Sequence, residues 1–185
     1  MEITASEMKG TAIHIRLLTE SDAEAMLQLQ LENKAFFEST SAQRSSEYYT
    51  LGGTKERIRS YTEAAEKDYD YYFGIFKNDG NGLIGTINLF AVMRGSIQSA
   101  YVGYALDEKH NGQGYTTEAV KLVVDYSFNE LKLHRLEAGV MPHNLGSLRV
   151  LEKAGFEREG LARKNVKING KWEDHVQLAI VNPND

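Results

Sequence analysis

The chain has 185 residues, a formal net charge of −5 and no cysteine. Its length predicts one domain, residues 1–185, with room for a sizeable core. The lack of cysteine excludes disulfides, thiolate metal sites and a cysteine nucleophile. No basic patch indicates a nucleic-acid partner, no apolar run approaches the ~20 residues of a membrane span, and the N-terminus "MEITASEMKG" lacks the features of a secretory signal. We therefore expect a soluble cytoplasmic protein.

The predicted elements mix hairpins with strand–helix–strand units. Alternation of apolar and polar residues predicts strands, apolar residues at helical spacing predict helices, and glycine-rich connections predict hairpins. The predicted strands are residues 12–18, 71–76, 83–90, 99–106, 135–140 and both arms of a hairpin within residues 164–181, which turns at Asn169–Gly170. The predicted helices are residues 19–33, 54–66, 116–131 and 144–155. This order predicts an α/β (α+β mixed) sheet with helices on both faces.

Two of these helices carry further signals. Ser21 and Glu24 have the spacing of a capping box at the start of the first helix. In the second helix, Ile58, Tyr61 and Ala65 share one face.

The stretch "KHNGQGYTTEA", residues 109–119, lies between a predicted strand and a predicted helix. A helix N-terminus presents free backbone N–H groups and the positive end of the helix dipole, and glycines let a phosphate approach them closely. The alternative is a tight strand–helix turn that needs the backbone freedom of glycine. No lysine stands where a Walker loop requires one, and Thr117 replaces the third glycine of a dinucleotide fingerprint, so both nucleotide interpretations are disfavoured.

This loop and three phrases in the second half of the chain carry a family resemblance. Residues 111–116 match the pattern Q/R-x-x-G-x-G/A at Gly114 and depart from it at Asn111 and Thr116. The phrases, in chain order, are "GYALDEKHNGQGYTTEAV", "VMPHNLGSLRVLEKAGFEREG" and "INGKWEDHVQLAI". By these features the sequence resembles the GNAT superfamily of acyl-CoA-dependent N-acyltransferases, and within it the ribosomal-protein N-acetyltransferase (RimJ/RimL-like) branch.

The resemblance implies a single-domain GNAT fold, with a central, mostly antiparallel sheet in which two parallel strands splay apart. Acetyl-CoA, the cosubstrate, would lie between these strands, here residues 99–106 and 135–140, and no metal is implied. The implied cofactor-binding residues are Tyr104, Ala105 and Leu106 through their backbone groups, Asn111, Gly112, Gln113, Gly114, Tyr115 and Thr116 at the pyrophosphate, and Asn144 at the pantetheine arm.

Two residues are implied in catalysis. Many family members carry a tyrosine acid at the position of Leu151, which cannot donate a proton, so the resemblance leaves Ser147 as the proton source for the leaving thiolate. It also implies Glu118 as the base that deprotonates the amine. The structural alternatives are that Asn144 is an N-cap, that Ser147 is an ordinary first-turn residue, and that Glu118 is a carboxylate favoured by the helix dipole.

The histidines offer other bases. His110 and His143 lie near the motifs and are rivals to Glu118, as is a water chain. His134 and His175 are expected to be structural or exposed.

The implied reaction is direct transfer of an acetyl group to a primary amine in a ternary complex. The expected acceptor is a protein N-terminal α-amine, such as that of a ribosomal protein. The alternatives are a small-molecule amine (a polyamine, amino sugar or amino acid) and a non-catalytic regulator that binds acyl-CoA. The acceptor cleft is expected between the first two helices, at residues 36–54, where a wide open groove would favour a peptide and a closed aromatic pocket would favour a small amine. The resemblance also implies a monomer or a homodimer.

Overall fold

The structure, a computed structural model, describes residues 7–185. Residues 1–6, part of the N-terminal stretch considered above as a signal, lie outside the described residues. The described residues form one eight-stranded sheet with the order β1-β2-β3-β4-β5-β6-β8-β7. Its strands are β1 (Met8–Lys9), β2 (Ile13–Leu17), β3 (Tyr71–Lys77), β4 (Leu83–Met93), β5 (Ser99–Leu106), β6 (Arg135–Val140), β7 (Glu157–Ile168) and β8 (Lys171–Val181). Neighbouring strands are antiparallel except β5 and β6, which are parallel.

Helices cover both faces of the sheet. They are α1 (Ala23–Glu32), α2 (Lys34–Glu38), α3 (Leu51–Glu66), α4 (Tyr115–Asn129) and α5 (Leu145–Lys153). On one face, Met26 of α1 and Ile58 of α3 share a buried cluster with Phe76 of β3. On the other face, Val120 of α4 and Leu151 of α5 belong to the main core. The predicted mixed sheet with helices on both faces is confirmed.

The helix starts differ from the prediction in two places. The carboxylate of Asp22 accepts a hydrogen bond from the backbone N–H of Thr19 (2.8 Å), so the capping interaction joins these residues. Ser21 and Glu24 do not form it, because Ser21 lies inside a 3-10 turn that precedes α1. The second predicted helix begins at Leu51 instead of residue 54, because the Thr50 hydroxyl caps it by accepting a backbone N–H (3.0 Å).

The parallel strands β5 and β6 pair only at their beginnings. Residues 99–101 pair with residues 135–137, and the pairing then stops. Beyond that point β5 stays paired with β4 as far as Leu106, and β6 stays paired with β8 as far as Val140. Each strand therefore follows its antiparallel partner, and a gap opens between them, as the resemblance implied.

Candidate active site

The gap between β5 and β6 forms a cleft of about 150 Å³. It lies at the carboxyl ends of two parallel strands, which is where open sheets of this kind commonly bind ligands. The lining residues come from β5, β6, the β6–α5 connection, α5, β8 and the segment after α2: Thr40, Val102, Gly103, Tyr104, Ala138, Gly139, Val140, Met141, Asn144, Ser147, Leu151 and His175.

Part of the β5 backbone is free to bind a ligand along this gap. The N–H of Asp107 donates to the carbonyl oxygen of Ile84 on β4 (2.8 Å), and backbone groups alternate between the two sides of a strand. Tyr104 and Leu106 therefore direct their backbone groups into the gap, whereas Ala105 directs its own toward β4. Two of the three backbone positions implied by the resemblance thus have the orientation that binding of the pantetheine arm requires.

The glycine loop leaves the start of α4 open. Gly112 and Gly114 have φ values of +76° and +85°, in the left-handed region, and α4 begins directly afterwards at Tyr115. A Cβ atom at either glycine would meet nothing within 4 Å. The tight turn that needs glycine is therefore present, and the same turn leaves room for an anion at the N–H groups of residues 112–116, which stays a prediction. The N–H of Asn111 already donates to the carbonyl oxygen of Glu108 (3.2 Å).

Ser147 lies beside a tyrosine hydroxyl in the cleft lining. Its Oγ is 2.7 Å from the Oη of Tyr104, which also lies within 3.3 Å of the Ser147 carbonyl oxygen. Burial raises the pKa of Tyr104 to about 12, and the hydrogen bond with Ser147 opposes this shift. Asn144 accepts the backbone N–H of Ser147 (3.2 Å), so it caps α5 while lining the cleft. The sequence assigned only backbone groups to Tyr104, because the pairing of its side chain with α5 depends on tertiary structure.

Glu118 lies outside the cleft lining. Its Oε1 accepts the backbone N–H of Ala12 (3.0 Å), in the turn between β1 and β2. The carboxylate also fills the space beside Gly10, where a Cβ atom would collide with it. This placement favours a structural role for Glu118, which fastens the first hairpin to α4.

His175 is a cleft residue that sequence reasoning set aside. It lies on β8, is 8% exposed and lines the cleft. A Cβ atom on Gly139 of β6 would lie 3.6 Å from its Cβ and 3.7 Å from its Cδ2. The pairing of β6 with β8, which brings the two residues together, joins segments almost forty positions apart, so no local signal could have found it.

The other histidines near the motifs stay outside the cleft lining. His110 lies 3.6 Å from an oxygen of Asp107 in the turn before the glycine loop, and His143 is exposed. His134 pairs with Asp185 at 2.8 Å near the end of the chain.

Comparison with known proteins decides the family. Residues 13–157 match the model for the acetyltransferase (GNAT) domain. The chain belongs to the GNAT family. It is 60% identical over 178 residues to the probable N-acetyltransferase YjcK of Bacillus subtilis (strain 168). The aligned region covers 96% of this chain and 98% of that protein.

Two solved structures agree with this assignment. The ribosomal-protein-S5-alanine acetyltransferase from Vibrio fischeri has a TM-score of 0.92 and 30% identity, with 97% of this chain and 98% of that chain covered. RimJ of Mycobacterium smegmatis, in complex with CoA-disulfide, has a TM-score of 0.88 and 26% identity, with 93% of this chain and 83% of that chain covered. These similarities confirm the resemblance to the RimJ/RimL-like branch.

The protein is an N-acetyltransferase that uses acetyl-CoA. The open strand edge at the cleft and the open N-terminus of α4 fit a cosubstrate with an extended arm and a pyrophosphate. Within residues 7–185, no helix is long and apolar enough to cross a membrane, and no group of three or more acidic or histidine side chains could hold a metal ion.

Proposed function

We propose that the protein acetylates the α-amine at the N-terminus of a protein or peptide. The observation that carries this proposal is an uncovered part of the sheet beside the cleft. An extended peptide needs an open surface along which several residues can bind, whereas the pocket of a small ligand closes around it.

The uncovered surface continues from the cleft across three strands. On the face where α1 and α3 cover β3 and β4, the strands β5, β6 and β8 present Tyr101, Gly103, Gly139 and Gln177, and all four are exposed or half-buried. This surface combines two glycines with two side chains that carry hydrogen-bonding groups, and Phe90 of β4 borders it, stacked on Tyr101 with ring centroids 5.5 Å apart. Such a surface suits the backbone of an extended chain, whose N–H and C=O groups all need partners.

Two structural boundaries limit this surface. On one side, Asn169 at the tip of the β7–β8 hairpin donates to the carbonyl oxygen of Glu38 (2.8 Å), and Thr40 then reaches the cleft. On the other side, Tyr61 of α3 stacks on Tyr72 of β3 with ring centroids 3.6 Å apart. The segment of residues 36–54, where the sequence predicted the acceptor side, thus borders an open surface, which favours a peptide over a small amine.

The solved relatives support the same acceptor class. The Vibrio fischeri protein is named for acetylation of an alanine of ribosomal protein S5. We extend that class to this chain, with a ribosomal protein N-terminus as the first candidate acceptor. Because ribosomes and acetyl-CoA occur in the cytoplasm, we propose a cytoplasmic location.

The residues of the cleft suit the acid side of this reaction. Acetyl-CoA supplies an acetyl group activated as a thioester. Backbone N–H groups of β5 that face the gap can donate to the carbonyl oxygen as negative charge develops on it. Ser147 can protonate the sulfur as the C–S bond breaks, and Tyr104, protonated at neutral pH, can restore that proton across 2.7 Å.

An acceptor panel tests the proposed function. Release of CoA thiol is measured with N-terminal peptides, the same peptides with a blocked N-terminus, polyamines, amino sugars and amino acids. Because the chain has no cysteine, it adds no thiol background to the assay. We expect release with free N-terminal peptides and none with blocked ones. Release with small amines alone would establish the small-molecule alternative, and binding of acetyl-CoA without release from any acceptor would favour a non-catalytic regulator.

A further inference from the structure

We propose that His175 is the group that accepts the proton of the attacking amine, through its Nε2 atom. The assignment rests on the proposed function, since it needs an amine that attacks in the cleft. A protonated amine has no lone pair, so an amine acetyltransferase needs a proton acceptor near the amine. The placement of Glu118 at the first hairpin leaves this role to another group.

His175 and Ser147 line the cleft from opposite faces of the sheet. Ala138 of β6 and Leu178 of β8 belong to the core under α5, together with Leu151. Alternation along β8 then places His175 on the other face. The close approach of a Gly139 Cβ to His175 agrees with this side.

This arrangement separates the two proton-transfer groups. Ser147 approaches the cleft from the side of α5, where the thiolate would leave. His175 approaches it from the uncovered surface, along which an acceptor amine would enter. A thioester between them would therefore have a proton donor near its leaving sulfur and a proton acceptor near the attacking nitrogen.

The hydrogen bonds of His175 define its tautomer. Its Nδ1 lies 2.9 Å from Oδ1 of Asn165 and 3.3 Å from the carbonyl oxygen of Glu173. A carbonyl oxygen can only accept, so Nδ1 carries the proton and Nε2 keeps the lone pair. The Cδ2 edge of the ring, next to Nε2, faces Gly139 in the cleft lining. An irregularity in β7 between Ala162 and Val166 contains Asn165, the side chain that orients the ring.

The charged groups around His175 come from four elements. Of the residues that line the cleft in the described part of the chain, Tyr104 and His175 are the titratable ones. The charged side chains on these elements are Lys171, Glu173 and Asp174 of β8, Glu157, Arg158, Glu159, Arg163, Lys164 and Lys167 of β7, Arg135 and Glu137 of β6, and Lys34 and Glu38 of α2. Glu173 is paired with Lys171 (3.3 Å) and Glu137 with Arg135 (2.8 Å), so both carboxylates are already partly neutralised.

The transfer step balances with these residues. Nε2 of His175 takes one proton from the ammonium group and passes it to solvent, and the freed nitrogen lone pair forms the C–N bond. The C–S bond breaks, its electron pair leaves on sulfur, and the thiolate takes a proton from Ser147, which Tyr104 resupplies across 2.7 Å before solvent restores the phenol. The nitrogen then loses a second proton to Nε2. Overall, the ammonium group and the thioester give an amide, a thiol and one released proton.

The kinetic test compares two buried histidines that have the same kind of partner. His14 is 7% exposed and its Nδ1 lies 2.9 Å from Oδ1 of Asn78, but it lies outside the cleft lining. We expect His175→Gln to lower kcat/KM for a peptide about 100-fold or more, with unchanged affinity for acetyl-CoA, whereas His14→Gln keeps wild-type kcat/KM. The deficit of His175→Gln should shrink as the pH rises past the pKa of the α-amine, about 8, because the amine then loses its proton unaided.

Three results would overturn the assignment. The first is full activity of His175→Gln in a protein whose wild type acetylates peptides, which would leave the proposed function standing. The second is a deficit that is the same at every pH, which would indicate a structural role. The third is a nitrogen–proton NMR correlation on the wild-type protein that finds the neutral ring protonated at Nε2 instead of Nδ1. Absence of wild-type turnover with every amine would instead overturn the proposed function, and the assignment with it.

Discussion

Replacement of Tyr104 by phenylalanine tests whether a pair of hydroxyl groups protonates the leaving thiolate. The substitution removes one oxygen and keeps the ring that packs at the cleft. Ser147 is a weak acid on its own, so its proton can leave readily only if another donor replaces it at once. The 2.7 Å contact between the two hydroxyl groups makes Tyr104 that donor.

The expected effect on the rate is much larger than the effect on folding. Loss of one hydrogen bond of this kind costs about 1 kcal/mol of stability. General acid catalysis contributes about 100- to 10,000-fold, and we expect the lower end, about 100-fold in kcat, because water can partly replace the phenol. This corresponds to about 2.7 kcal/mol on the barrier. Since burial raises the pKa of Tyr104 to about 12, its ionisation should cause no loss of wild-type activity at mildly alkaline pH.

The assay is a double-mutant cycle of kcat for thiol release. Tyr104→Phe, Ser147→Ala and the double variant are compared, with Tyr71→Phe as the control. The Tyr71 hydroxyl also donates a hydrogen bond, to Asp68 (2.7 Å), but lies outside the cleft lining. If the two hydroxyl groups act as a unit, the double variant is no slower than the slower single variant. Additive losses in the cycle, or equal losses in Tyr104→Phe and Tyr71→Phe, would refute the relay.

Three further predictions concern other parts of the chain. Glu118→Ala should lower the melting temperature by loosening the first hairpin and leave kcat near wild type; a fall in kcat of about 100-fold would restore Glu118 as the base. Gly114→Ala and Gly80→Ala, at φ +85° and +87° with open space around each Cβ, should each cost about 1 kcal/mol of stability, and calorimetry should find weaker acetyl-CoA binding only for Gly114→Ala. Arg94 lowers the pKa of Asp68 by hydrogen bonding to its carboxylate. This half-exposed pair therefore stabilises the fold at pH values above the pKa that the carboxyl has in the unfolded chain. The stabilisation is lost as the pH falls through the pKa of Asp68 in the folded protein. In denaturant titrations Arg94→Met should therefore cost up to about 1 kcal/mol at neutral pH and less in acid, and an equal cost at both would contradict the pairing.

Much of the fold could be predicted because local patterns and local contacts agree. Residues 99–106 and 135–140 were predicted as strands with the bounds that the structure has, since both are short apolar runs between clear turns. The turn at Asn169–Gly170 was also local, with φ values of +48° and +80°. The short helix α2 and the strand β1 were missed, because a few residues give no periodicity and their stability comes from tertiary packing.

The features of the candidate site that could be predicted from the sequence are likewise those that depend on local contacts. The glycine loop and the cap at Asn144 are visible in the sequence, because each depends on residues a few positions apart. The contacts of Glu118 with the first hairpin and of Tyr104 with Ser147 join residues far apart in the chain, so spacing alone could not assign them. His175 faces the cleft only because of the register of β8. A shift of one residue in that register would turn its side chain to the opposite face of the sheet.

In the proposed reaction the acetyl group reaches an N-terminal α-amine. The most direct test is one peptide that carries a free N-terminal alanine and an internal lysine, incubated with acetyl-CoA and the wild-type protein, with the modified residue located by fragmentation mass spectrometry. We expect a single acetyl group on the alanine nitrogen, formed at a rate that depends on Ser147 and His175. Acetylation of the lysine instead, or of added polyamine while the peptide stays unmodified, would contradict it.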